Sequence, residues 1–237
     1  MEGSLAGSPP APPGVPLVGV LALQGDFEAH RRVLEGLRAR VREVRVPGDL
    51  DGLDGLVIPG GESTTMTLGV EREGLAEPLR ELAARGTPIL GSCAGLIMLD
   101  RDHLGIMDMR AERNAFGRQL RSFEADVPMK EILGTAPLRG VFIRAPRIAE
   151  HGPQVAILAE LDGHGVAARQ GRITAVAFHT ELGSDDRLHR LFLADVLANA
   201  GSAREDVTEA DATDTADADA ADAVRRDGNG GGLASAA

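Results

Sequence analysis

A chain of 237 residues with 43% hydrophobic side chains suits one domain with a sizeable core plus tails. A formal charge of −11, no Trp, no Tyr and no basic stripe disfavour binding to nucleic acid or to an anionic membrane. The single cysteine, Cys93, excludes an internal disulfide framework and a Cys-rich metal site, and no apolar run nears the ~20 residues that span a bilayer.

Residues 1–16 are rich in Pro, Gly and Ser and lack both a basic start and an apolar core, so they are expected to be a disordered extension rather than a signal peptide. A reducing, cytoplasmic location follows as the expectation. The run PLVGVLAL (16–23) predicts a strand buried on both faces. DFEAHRRVLEGLRA (26–39) places Phe27, Val33, Leu34 and Leu37 at helical spacing. VREVRV (41–46) alternates as a strand, and GLVIPG (55–60) is a short buried strand that ends in Pro-Gly-Gly. A helix is expected to start near Ser63, and another over 74–86, closed by Gly86. PILG (88–91) is a further buried strand, with a helical segment after Cys93. This βαβαβ order predicts an α/β fold of three layers: a mostly parallel central sheet, flanking helices and antiparallel additions. The additions are FEADV, LRGVFIRAP, QVAILAEL, HGVAARQ and RITAVAFH, followed by a helix at about 185–199. Residues 201–237 hold nine acids and three arginines among Ala, Asp and Gly, and bury too little to offset ordering entropy, so a disordered acidic tail is expected after a domain spanning 17–200.

A buried strand, then Gly91-Ser92-Cys93-Ala94-Gly95, then a helix is the shape of a nucleophile elbow. The turn would lift Cys93 above the carboxyl edge of the sheet, with the Ala94 N–H aimed at a developing oxyanion. A buried structural cysteine is the competing reading. A thiol nucleophile needs a base, and His179, at the end of RITAVAFH, lies at the same sheet edge with Glu181 two residues on to orient it. The other histidines, His30, His103, His151, His164 and His189, have polar settings that read as exposed. In IPGGEST (58–64), Gly60 or Gly61 is placed to supply a second oxyanion donor, and no Gly-Lys-Ser/Thr follows to make a phosphate loop.

Taken in order, PGGEST, GSCAGL, ERNAFGRQ, FIRAP and FHTEL resemble the motifs of class I (triad) glutamine amidotransferases. More narrowly, they resemble the glutaminase subunit of pyridoxal 5′-phosphate synthase, the PdxT/SNO family. LALQGDFEAH and SFEAD fit the same family, and the likeness covers roughly residues 17–198. It implies hydrolysis of L-glutamine to glutamate and ammonia through a γ-glutamyl thioester, with no metal or cofactor. The ammonia would pass to a TIM-barrel synthase subunit in a hetero-oligomeric complex. By motif match Cys93 would be the nucleophile, His179 the general base and acid, and Glu181 the orienting carboxylate. Gly61, Glu62, Ser63, Arg113, Ile143 and Arg144 would contact glutamine. Two departures stand out: Thr180 occupies a position where the family has proline, and the segment 95–109 is about half a dozen residues shorter than expected. The alternatives are another triad amidotransferase, a DJ-1/PfpI-type hydrolase (which would have His where Ala94 stands), or a weakly active regulatory subunit.

Overall fold

The computed structural model describes residues 14–115, 122–129 and 136–201. The two tails expected at 1–16 and 201–237 lie outside these residues except for 14–16 and 201. The chain begins with β1 (Leu17–Leu21), whose last four residues are buried, then α1 (Phe27–Gly36) and β2 (Arg40–Val44). A short 3-10 turn leads to β3 (Gly55–Ile58), α2 (Ser63–Arg72), α3 (Ala76–Ala84), β4 (Ile89–Ser92) and α4 (Ala94–Leu99). The second half supplies β5 (Met109–Glu112), β6 (Ser122–Val127), β7 (Leu138–Ile143), β8 (Arg147–His151), β9 (Ala156–Leu161), β10 (His164–Gln170) and β11 (Ile173–Val176). A final helix, α5, begins at residue 187.

The main sheet runs β2-β1-β3-β4-β11-β10-β8-β5, with β9 also paired to β10. The first five strands of that path are parallel and the rest antiparallel, as expected of a mostly parallel sheet with antiparallel additions. Chain direction across the sheet reverses between β1 and β3. Right-handed crossovers therefore put α1 on one face and α2–α3 on the other. Ligands of open α/β sheets bind in the crevice at the strand carboxyl ends beside such a reversal.

Two strands, β5 and β8, were not expected. β6 and β7 pair with each other in a separate two-stranded sheet, and a backbone bridge joins this sheet to the segment that follows β11. There Val141 and His179 exchange backbone hydrogen bonds of 3.0 and 2.9 Å. Phe142 stacks on Phe123 (centroids 4.7 Å apart) and meets Phe178 at 5.3 Å, so aromatic packing backs the same junction. β11 ends at Val176, so His179 sits three residues past the strand rather than on its last position, held by β7 instead of by the ladder.

The segment after Cys93, expected to be short, closes tightly. α4 has six residues, all buried. Its last carbonyls are taken by the loop that follows: Leu104 N–H donates to Met98 O at 3.0 Å and Met107 N–H to Leu99 O at 2.8 Å. Asp100, 1% exposed, accepts from the Asp102 and Ala111 N–H groups and pairs with His103 Nδ1 at 2.7 Å. One buried carboxylate thus ends the helix and ties the loop to β5. At the other end of α4, a Cβ on Gly95 would collide with the Ile58 carbonyl, so glycine is what lets the elbow helix lie directly on β3.

Candidate active site

Four loops meet at the carboxyl edge: 24–26 after β1, 60–63 after β3, Cys93 after β4, and 177–181 after β11. They surround a cavity of about 350 Å³, within the size range of small-molecule sites. Cys93 has φ 49° and ψ −104°, a conformation costing a non-glycine residue about 1–3 kcal/mol, and it is the strained turn expected of an elbow. Its own N–H donates to Val176 O at 2.8 Å, which ties the turn to the neighbouring parallel strand. The side chain is buried but opens on the cavity, which His179 also lines, and Sγ lies 3.9 Å from the Ile143 carbonyl.

His179 Nδ1 lies 2.6 Å from Glu181 Oε1. A carboxylate accepts only, so Nδ1 carries the hydrogen and Nε2 is the nitrogen left for the thiol. Burial works against a charged His179, yet the bonds to Cys93 and Glu181 and the charge of both raise its pKa to about 10. Glu181 is also buried, which alone would raise its pKa. The adjacent His30 and the hydrogen bonds from His179 and His30 hold it well below the usual carboxylate range instead. A further donor is the Thr180 N–H, 3.0 Å from Glu181 Oε2. The proline expected at 180 has no N–H to give, so Thr180 adds a bond to this carboxylate rather than merely replacing a rigid residue.

The candidate substrate residues converge as well. Gly61, Glu62, Ser63, Arg113, Ile143 and Arg144 all line the cavity, as do Ala94 and Ile97. Arg113 Nη1 reaches Ser63 Oγ at 3.3 Å and Thr64 Oγ1 at 3.2 Å, which holds a guanidinium at the rim. The Glu62 carboxylate is occupied differently: it caps α2, accepting from Thr65 N at 2.7 Å and Thr64 N at 3.1 Å, and these bonds, led by the one from the Thr65 hydroxyl, lower its pKa to about 2.

Gly60, proposed beside Gly61 as an oxyanion donor, stands next to the residues that line the cavity, and its carbonyl accepts from Asp26 N at 3.0 Å. A Cβ on Gly60 would run into the edge of the His179 ring, so this glycine clears room for the imidazole. Gly60→Ala is accordingly expected to displace His179 and lower turnover at least ~100-fold, the cost of an ångström-scale misplacement, with KM little changed. Steady-state kinetics beside a thermal melt check this; wild-type kcat in the folded variant contradicts it.

Three functional-site residues were not anticipated. Gln24 Oε1 accepts the Glu62 N–H at 2.7 Å and pins the 60–63 loop. His30 and His189 were read as exposed, but they are 1% and 0% exposed and lie behind Glu181. The signal was present: with Phe27, Leu34 and Leu37, His30 falls on the apolar stripe of α1. Asp26, His179 and Glu181 offer ligand atoms within 4.8 Å of one another, but His179 Nδ1 and Glu181 Oε1 are already bonded to each other, so a cation there would have to break that pair.

A cysteine, an imidazole and a carboxylate in line at the edge of a polar cavity can transfer an acyl group through a thioester. Comparison with known proteins agrees. The profile of the SNO glutamine amidotransferase family matches residues 20–198. A pyridoxal 5′-phosphate synthase subunit PdxT of Clavibacter sepedonicus is 52% identical over 208 residues, covering 83% of this chain and 99% of that one. The subunit of the same name from Geobacillus kaustophilus is 50% identical over 183 residues, covering 74% and 92%. A crystal structure of a glutamine amidotransferase superposes with a TM-score of 0.70 at 42% identity, over 76% of this chain and 98% of the other. With the match running through every element that builds the cavity, the chain belongs to the SNO glutamine amidotransferase family.

Proposed function

We propose that this chain is the glutaminase subunit of a pyridoxal 5′-phosphate synthase, hydrolysing L-glutamine and delivering ammonia to the synthase subunit. The alignment of Cys93, His179 and Glu181 at one end of a cavity rimmed by Arg113 carries this reading. The relatives named as synthase subunit PdxT point to the same partnership.

Arg113 and Arg144 meet the α-carboxylate of glutamine, and the side-chain amide extends toward Cys93. His179 takes the thiol proton and Sγ attacks the amide carbon. The N–H groups of Ala94 and Gly61 receive the oxyanion. When the tetrahedral intermediate collapses, the carbon–nitrogen bond breaks, His179 protonates the leaving nitrogen, and ammonia departs from a γ-glutamyl thioester. Water activated by His179 then cleaves the thioester, which releases glutamate and restores the thiol. The proton that His179 takes from the thiol is the one it gives to the leaving nitrogen, and the Glu181 charge and hydrogen bond help to hold it on the ring until then. The partner is a TIM barrel, to which ammonia passes without mixing with solvent.

Ammonia release from glutamine, measured for the full chain with and without the synthase subunit, tests the reading. Glutamine-dependent release that rises with the synthase is expected. Its absence under both conditions rejects the assignment.

A further inference from the structure

Behind the triad lies a buried polar chain that the reaction above does not use. His30 on α1 and His189 on α5 are both almost fully enclosed. His30 Nδ1 is 2.9 Å from His189 Nε2, and His30 Nε2 is 2.9 Å from Ser92 Oγ and 3.2 Å from Glu181 Oε1. Three elements, α1, β4 and α5, therefore each contribute a polar group to one enclosed cluster that ends on the carboxylate holding His179. Apolar side chains would fill this space without the cost of desolvating three polar groups.

The shared position constrains the hydrogen. Glu181 is held ionised and accepts only, so a lone pair on His30 Nε2 would be repelled by Oε1; a hydrogen on Nε2 lies between Ser92 Oγ at 2.9 Å and Glu181 Oε1 at 3.2 Å. At the far end, burial above all, and then His30, lowers the pKa of His189 to about 3, which keeps that ring neutral. Only one hydrogen can then lie between His30 Nδ1 and His189 Nε2. His189 Nδ1 has no partner among the described residues, so His189 serves as a backstop for His30 and leads no further. His30 does not line the cavity.

We propose that His30 is a positioning residue for the triad: fixed from behind by His189 and Ser92, it donates to Glu181 Oε1 and sets the carboxylate in the orientation and charge state that hold the His179 ring toward Cys93. The catalytic consequence rests on the glutaminase reading; the effect on His179 does not. Glu181, His189 and Ser92 face the His30 ring. Asp26, 3.8 Å from His179 Nδ1, and Asp186, which acts on His189, supply the other nearby charge.

The test uses the full chain with three substitutions. His30→Leu removes the donor. His30→Asn keeps an amide for His189 but is too short for Glu181. His30→Gln places an N–H at the reach of Nε2. The titration midpoint of His179 is read by NMR of chain labelled at the histidine ring nitrogens, and glutamine turnover is measured with the synthase subunit present. In His30→Leu and His30→Asn the His179 midpoint is expected to fall by about one pH unit or more, and kcat by roughly 10- to 100-fold, with KM within about twofold. His30→Gln is expected to recover most of both. Wild-type midpoints in a folded loss variant, or a His30→Gln variant as impaired as the other two, overturn the proposal. If no form releases ammonia, the glutaminase reading fails, and the titration alone still decides what His30 does.

Discussion

Replacing Cys93 with alanine is expected to lower glutamine-dependent ammonia release by roughly 10⁵- to 10⁶-fold, the scale on which enzymes lose turnover when a covalent nucleophile is removed. The argument is local. Cys93 is the only cysteine in the chain, so no second thiol can replace it. The His179 ring would still be held by Glu181 and by the 2.9 Å backbone bond to Val141, so the proposed base and oxyanion donors survive and only the proposed attacking atom goes. Alanine keeps the Cβ and the backbone bond from residue 93 to Val176 O, so the elbow stays in its strained turn and the melting temperature should hold within a few degrees. An ammonia assay beside a thermal melt checks both halves. Release at wild-type rates in the folded variant would move the nucleophile elsewhere and return Cys93 to the structural role that the sequence alone left open.

The elbow was legible because its signals are local: a buried strand, two glycines and a helix within a dozen residues. The same holds for β1, β3 and β4, whose continuous apolar runs leave one reading. β5 and β8 escaped because they are mostly exposed and charged along their length, Met-Arg-Ala-Glu and Arg-Ile-Ala-Glu-His, so no apolar pattern marks them and their pairing is settled only by distant partners. The separate β6–β7 sheet escaped for a related reason. Its strands were visible, but whether a hairpin joins the main sheet depends on long-range contacts, here the Val141–His179 bridge and the Phe123–Phe142–Phe178 stack. The chemistry divides the same way. Cys93, His179 and Glu181 stood out by spacing, but His30 and His189 were assigned to solvent by residue type when their helical register placed them in the core. A histidine on an apolar stripe is better read by its neighbours at i+4 and i+7 than by its polarity.

Glu181→Gln is expected to lower kcat by about 10³- to 10⁴-fold with KM nearly unchanged, because an amide cannot satisfy what surrounds this carboxylate. Oε1 takes His179 Nδ1–H and lies 3.2 Å from His30 Nε2, and Oε2 takes Thr180 N–H. A glutamine has one accepting end. If its oxygen faces His179, its NH2 points at the Thr180 N–H and two donors oppose each other in the core. If it turns round, the NH2 faces Nδ1 and forces His179 to carry its hydrogen on Nε2, the nitrogen that must receive the thiol proton. Either way the base is misassigned or strained. The variant also loses the negative charge that helps hold His179 near 10, so the alkaline limb of kcat should move toward the ordinary histidine value of 6.5. Stability follows with a definite sign. A carboxylate held below its unfolded value of 4.5 contributes stability that is present above that pH and lost as the pH falls further. For His179, raised above 6.5, the contribution is full below 6.5 and fades toward 10. Between about 4.5 and 6.5 both terms favour the wild type, so the gap in melting temperature between wild type and Glu181→Gln should be widest there. It should narrow on the acid side as the carboxylate protonates and on the alkaline side as the imidazolium is lost. Thermal melts across this range, run beside the pH dependence of kcat, would show that pattern; a constant gap together with a wild-type kcat would mean that Glu181 neither orients nor charges His179.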